Sequence, residues 1–204
     1  EHYTKALAIR PSYADAHNNF GQALMQEGRV DEAIAQFEEA LELHPRFAEA
    51  HNNLGNAFLE RHSSETNGVA GAIEQYRQAL AIQPNYAQAH NNLGWVLFQC
   101  GQTENAVTHL TQALQIDPGY ANAHRNLADV WLQQGRTTEA MKEFQTAAAV
   151  YARAGEFDEA ATLINHALNS ANGRCDPTLT AALEYQLKRY QSEPRPALVD
   201  GRSN

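Results

Sequence analysis

The five residues His51-Asn52-Asn53-Leu54-Gly55 recur as His17-Asn18-Asn19-Phe20-Gly21, as His90-Asn91-Asn92-Leu93-Gly94 and, altered, as His124-Arg125-Asn126-Leu127-Ala128. A second phrase follows each copy: Ala33, Phe37, Ala40, Leu41 and Pro45, then Ala72, Tyr76, Ala79, Leu80 and Pro84, then Ala106, Leu110, Ala113, Leu114 and Pro118. Prolines 11, 45, 84 and 118 are therefore spaced by 34, 39 and 34 residues. A fixed period of this length excludes a single globular core and predicts stacked supersecondary units, each touching only its neighbours.

Small, large and glycine positions at this spacing, closed by a proline, resemble the tetratricopeptide repeat (TPR), a helix-turn-helix unit of about 34 residues. The resemblance covers roughly residues 1–170 and implies an all-α fold: a right-handed α-solenoid of stacked helix-turn-helix units with a C-terminal capping helix. The expected division is the second half of a truncated repeat at 1–11, then repeats at 12–45, 46–84, 85–118 and 119–154. The second carries a five-residue insertion at 63–67, read as a surface loop. Gly135 and Gly155 are too close for a full repeat, so one long helix from Thr137 to Ala154 is expected to serve two repeats. A degenerate second helix follows at 155–172. Asp176-Pro177-Thr178 opens a capping helix at 176–191, with Leu179, Ala182, Leu183, Leu187 and Tyr190 as its apolar stripe, and 192–204 reads as a disordered tail. Within a repeat, Gly28 supplies the turn and Asp31 is the expected N-cap of the second helix. The alanines and Gly21 let the paired helices approach while Phe20, Leu24, Ile34, Phe37 and Leu41 fill the space between them.

The first residues, Glu1-His2-Tyr3, carry the second-helix pattern without a Met, so a fragment of a longer protein is expected. A formal net charge of −9 with only 15 Lys and Arg argues against nucleic acid and against membrane surfaces. No apolar run reaches the length of a membrane span. The sequence leaves the compartment unknown, the cytoplasm being the first expectation. Two cysteines give neither a disulfide framework nor a metal motif, and Cys100 is expected to be a small packed side chain. The equivalent histidines (His17, His51, His90, His124) lie one repeat apart, on the order of 10 Å, too far to share a zinc ion. Each is expected to pack between helices and hydrogen-bond a neighbour. No catalytic constellation stands out, so no enzyme and no cofactor is expected in this chain.

The resemblance implies that the first helices line a concave groove. On that lining it places Asn18 and Asn19, Asn52 and Asn53, Asn91 and Asn92, Arg125 and Asn126, with Gln22, Asn56, Trp95 and Asp129 one turn further on. Asparagine is a poor helix former, and an amide offers both donors and an acceptor, the complement of a peptide backbone. A ladder of them is similar to that of the O-GlcNAc transferase superhelix and implies recognition of an extended segment of another protein. The alternative is that the amides bond across adjacent repeats and only pin the stack. The family's carboxylate clamp needs Lys and Arg on the lining; here Gln26, Glu60 and Gln99 accompany the asparagines. Trp95 and Arg125 are the expected anchors, whereas Trp131 is assigned to packing. Two further readings stay open: a substrate-recruiting region of a larger enzyme such as a glycosyltransferase, and end-to-end self-association through the half-repeat at 1–11.

Overall fold

The computed structural model describes residues 12–61, 66–171 and 176–193. The expected half-repeat at 1–11, its self-association, His62, Cys175 and the tail from 194 lie outside the described residues. Ten α-helices and no strand occur among the described residues, and the fold class is an all-α helical repeat solenoid. The chain divides into two compact units, Glu1–Ile116 and Asp117–Asn204.

Unit 1 holds α1 (Ala14–Gln26), α2 (Val30–Leu43), α3 (Ala48–Arg61), α4 (Thr66–Ile82), α5 (Ala87–Gln99) and α6 (Thr103–Ile116). Each packs on its neighbours in sequence, and α1 also meets α3 while α3 meets α5. Helix α4 begins at Thr66, within the stretch expected as a loop at 63–67, whose residues 63–65 lie outside the described residues. Two apolar clusters run through the unit, one around Leu24, Ile34, Phe37 and Leu54, the other around Tyr76, Leu93, Val96 and Leu97.

The pairing of first and second helices depends on a missing side chain. A Cβ built on Gly21 would lie 2.5 Å from the Phe37 ring, one on Gly55 2.7 Å from the Tyr76 ring, and one on Gly94 2.9 Å from Leu110 Cγ. Such distances lie well inside van der Waals contact, so the ring or leucine occupies the volume that any other residue's side chain would need. Phe37 and Tyr76 are completely buried as a result, each contributing roughly 1.5–3 kcal/mol of transfer free energy.

The tight turns share one geometry. Gly28, Gly101 and Gly135 have φ of 72°, 75° and 74°, and Gly155 has 83°. In each case the next residue's N–H donates five residues back: Arg29 to Leu24 O, Gln102 to Leu97 O, Arg136 to Trp131 O and Glu156 to Tyr151 O, at 2.8–2.9 Å. This is the Schellman arrangement, which closes the last carbonyls of the first helix. It leaves the second helix to start at once, and that corrects one expectation. Arg29 is the N-cap of α2 and makes no side-chain cap bond, while Asp31 sits inside the first turn, where its charge suits the helix dipole.

Unit 2 holds α7 (Ala121–Gln133), α8 (Thr137–Arg153), α9 (Phe157–Ala171) and α10 (Pro177–Ser192). Helix α8 has 17 residues, lies between glycine turns at both ends, and packs against both α7 and α9. It buries Ala140, Met141, Phe144, Ala147 and Ala148, alternating small and large residues over both contacts. Asp176 accepts from the N–H of Thr178 at 2.7 Å and of Leu179 at 3.2 Å, capping α10, which packs on α9 and touches α8. Leu183 and Tyr190 are buried there and Leu179 and Leu187 pack beside them. Ala182, assigned to the stripe from sequence, is exposed. Cys100 is also exposed, at the C-cap of α5; a helix end facing solvent gives it no packing partner, contrary to the sequence expectation.

Candidate functional site

Neighbouring residues on a helix are about 100° apart, so the two members of each asparagine pair cannot face the same space. In unit 1 the first member turns inward: Asn18 is 1% exposed, Asn52 and Asn91 each 5%. The second members stay accessible, Asn19 exposed and Asn53 and Asn92 half-buried. In unit 2 the order reverses, with Asn126 buried and Arg125 exposed, since a guanidinium buried without a charge partner costs more than an amide. Of the residues expected on the lining, one in each pair is thus interior.

The interior amides are used across repeats. Asn53 Nδ2 donates to Asn18 Oδ1 at 2.9 Å, and Asn92 Nδ2 lies 3.1 Å from both Asn52 Oδ1 and Asn56 Oδ1. Asn91 Nδ2 donates to Asn92 Oδ1 at 3.1 Å. Asn18 Nδ2 and Gln22 Nε2 both donate to Glu49 Oε1, at 3.3 and 3.0 Å. The Tyr76 hydroxyl donates to Asn56 Oδ1 at 2.7 Å, and burial pushes its pKa above the ordinary tyrosine value. Each such bond is worth about 1 kcal/mol net, and leaving a partner orphaned costs about 1–3 kcal/mol. Buried Asn18 and Asn52 therefore stitch α1, α3 and α5 together.

Outside this seam lies a cleft of about 380 Å³ lined by Gln22, Met25, Gln26, Phe37, Asn53 and Asn56. It brings together three of the sequence candidates from two successive first helices. Among the described residues, Asn53 bonds through its amide nitrogen alone and Asn56 through its carbonyl oxygen alone. Trp95 is half-buried, its ring 5.6 Å from that of Phe98.

In unit 2, Asp129 is half-buried and accepts from His166 Nε2 of α9 at 3.3 Å, and the His166 ring stands edge-on to Phe144 at 5.1 Å. Sequence reasoning missed His166: it lies on a helix assigned only to packing, and nothing local marks it. Trp131 packs against the core with the Arg136 guanidinium 3.8 Å from its ring centre.

The repeat histidines occupy one slot, each bonded to the second helix. His17 Nδ1 meets Gln36 at 2.9 Å, His51 meets Gln75 at 2.7 Å, His90 meets His109 at 2.9 Å and His124 meets Glu143 at 2.6 Å. In the last three, Nε2 donates to the carbonyl of Pro45, Pro84 or Pro118. Among the described residues no cluster of His, Cys, Asp and Glu could hold a metal, and no helix is long and apolar enough to cross a membrane.

Family models described as TPR repeat match residues 21–60 and 67–99, and others described as tetratricopeptide repeat match 2–35, 101–152 and, in two pieces, 87–112 and 146–165. No curated protein sequence matches the chain. Among solved structures it is similar to MamA, with a TM-score of 0.62 and 25% identity, covering 76% of this chain and 87% of that one. It is similar to pilF of Pseudomonas aeruginosa, at TM-score 0.59 and 25% identity over 88% and 93% of the two chains. At 21% identity, a likeness of fold alone, it also resembles YrrB, a TPR protein with an unusual peptide-binding site, at TM-score 0.60 over 91% and 98%.

Proposed function

We propose that this chain, which belongs to the tetratricopeptide repeat family, holds an extended segment of a partner protein against the amide-lined face of unit 1. Repeats of this family are typically non-catalytic, and the chain is a protein-interaction module. The observation that carries the finer reading is the division of labour among the asparagines. Asn18 and Asn52 spend their groups on the seam, while Asn53 and Asn56 present an acceptor and a donor, without a partner among the described residues, on the wall of the cleft. A peptide unit in extended conformation offers the complementary pair, and such recognition by main chain asks little of the ligand's side chains. YrrB, of the same fold, is a TPR protein with a peptide-binding site, which supports the assignment. Trp95, Arg125 and Asp129 belong to the same reading, each in its own unit, as further contact residues, while the buried Asn126 does not.

Site-specific photo-crosslinking tests it. A benzophenone amino acid placed at Gln26, on the cleft, or at Glu39, on the exposed side of α2, is irradiated in source-cell lysate and the crosslinked segments are sequenced. The expected result is a defined partner segment attached from position 26 and absent from position 39. Equal attachment from both, or attachment from 39 alone, overturns the assignment.

A further inference from the structure

We infer that the segment received by unit 1 is basic, and that the cleft between α1 and α3 takes one of its lysine or arginine side chains. This rests on the reading of that face as the binding surface. Residues spaced by four, three and four share one helix face. On α1 that stripe is Asp15, Asn19, Gln22 and Gln26; on α3 it is Glu49, Asn53, Asn56 and Glu60; on α5 it is Gln88, Asn92, Trp95 and Gln99. The three stripes carry three carboxylates and neither lysine nor arginine.

The cleft has the layout a long cationic side chain needs. Met25, backed by the buried Phe37 ring, supplies an apolar wall for a methylene stem, the part of Lys and Arg that packs on apolar surface. Around it stand the amides of Gln22, Gln26 and Asn53, whose oxygens accept from an ammonium's three N–H groups or a guanidinium's five; Asn56 Oδ1 is already taken by Tyr76 and Asn92. Glu49, one turn before Asn53 on the same stripe, is held through the cleft residue Gln22: both Asn18 and Gln22 donate to Oε1, leaving Oε2 without a partner among the described residues. Glu60 lies one turn beyond Asn56 at the other end and is exposed. An acidic side chain in the same place would be desolvated with carboxylates beside it and no cation on these stripes, an uncompensated cost. The net charge of −9 draws basic ligands to the whole surface, so a test must separate the cleft from the bulk field.

A random-peptide display library is selected on the immobilised chain, and the best-enriched peptide is synthesised and titrated. Three variants accompany the parent, each checked for an unchanged melting curve: Glu49→Gln with Glu60→Gln, Glu38→Gln with Glu39→Gln on the exposed side of α2, and Gln22→Ala with Gln26→Ala. The expected result is enrichment of Lys and Arg over Asp and Glu. The peptide's affinity should fall about tenfold in the first variant and by less than about twofold in the second. Loss of binding in the Gln22/Gln26 variant without basic enrichment overturns the charge preference and leaves the groove reading standing. Equal losses in the two glutamate variants overturn the cleft as the source of the preference. Selection of no peptide, or of peptides indifferent to Gln22 and Gln26, overturns both.

Discussion

In unit 1, His90 Nδ1 meets His109 Nδ1 at 2.9 Å; at the same step of unit 2, His124 Nδ1 meets Glu143 Oε2 at 2.6 Å. The backbone slot is the same, with the partner 19 residues on in both cases and Nε2 donating to a proline carbonyl. The proton demand is opposite. Two facing Nδ1 atoms can bond only when one donates and the other accepts. Burial lowers the His109 pKa, and repulsion from the neighbouring His90 ring, when charged, and from Arg77 lowers it further. His124 faces acceptors on both nitrogens, an arrangement that favours the imidazolium. Burial pulls its pKa down, but the bond to Glu143, the Pro118 carbonyl and the charges of Glu143 and Asp117 outweigh that and raise it. One repeat frame therefore accommodates a second histidine or a carboxylate as partner, and the second helix decides in which direction the titration shifts.

A second contrast concerns contact volume. Where unit 1 has Gly55 against Tyr76, unit 2 has Ala128 against Phe144, both completely buried. The largest expected effect is that Gly55→Leu destabilises unit 1 by about 3 kcal/mol, at the upper end of overpacking costs, whereas Ala128→Gly costs unit 2 only about 0.5–1 kcal/mol. The chain has 2 tryptophans, Trp95 in unit 1 and Trp131 in unit 2. Urea unfolding followed in single-tryptophan variants reads each unit separately, and equal losses in both would break the contrast.

The next effect compares the first asparagine column with its replacement. Asn18→Ala strands the Asn53 amide and costs about 1–3 kcal/mol, while Arg125→Ala, at an exposed position, changes stability by less than about 0.5 kcal/mol. The same unfolding assay measures both. A neutral Asn18→Ala would mean that the seam contributes nothing.

The smallest effects sharpen the histidine contrast. His124 is raised in the fold, so its contribution is fully present below the ordinary histidine pKa and lost as pH rises through the raised value. Glu143→Gln should therefore cost unit 2 most near pH 6 and least near pH 8. His109 is lowered, so its contribution is present above the ordinary pKa and lost as pH falls through the lowered value. His109→Gln, which copies Gln36 and Gln75 of the other slots, should flatten the acid-side loss in unit 1. Parallel pH profiles for the two variants would refute the opposite shifts.

The particular residues show where sequence reading succeeds and where it stops. Gly28, Gly101, Gly135 and Gly155 mark turns because a left-handed φ is a local demand that glycine meets at least cost. Phe37 and Ala33 belong to the core because helical period places them on one face. Cys100 and Asp31 were misassigned by a residue or a turn, since helix ends depend on cap geometry that composition does not encode. The pairing of Asp129 with His166 was invisible, because it joins residues 37 apart on helices whose approach is set by Phe144 and its neighbours.

The sequence by itself determined the period, the glycine turns, the small residues at helix contacts and the histidine slot, all consequences of local helix geometry repeated along the chain. The tertiary structure alone decided which asparagine of each pair is interior, which partner each histidine bonds, and which amide groups on the cleft have no partner among the described residues. Those outcomes depend on how helices from successive repeats approach one another. That distance and rotation are set by packing among side chains far apart in sequence, not by the spacing of any single motif.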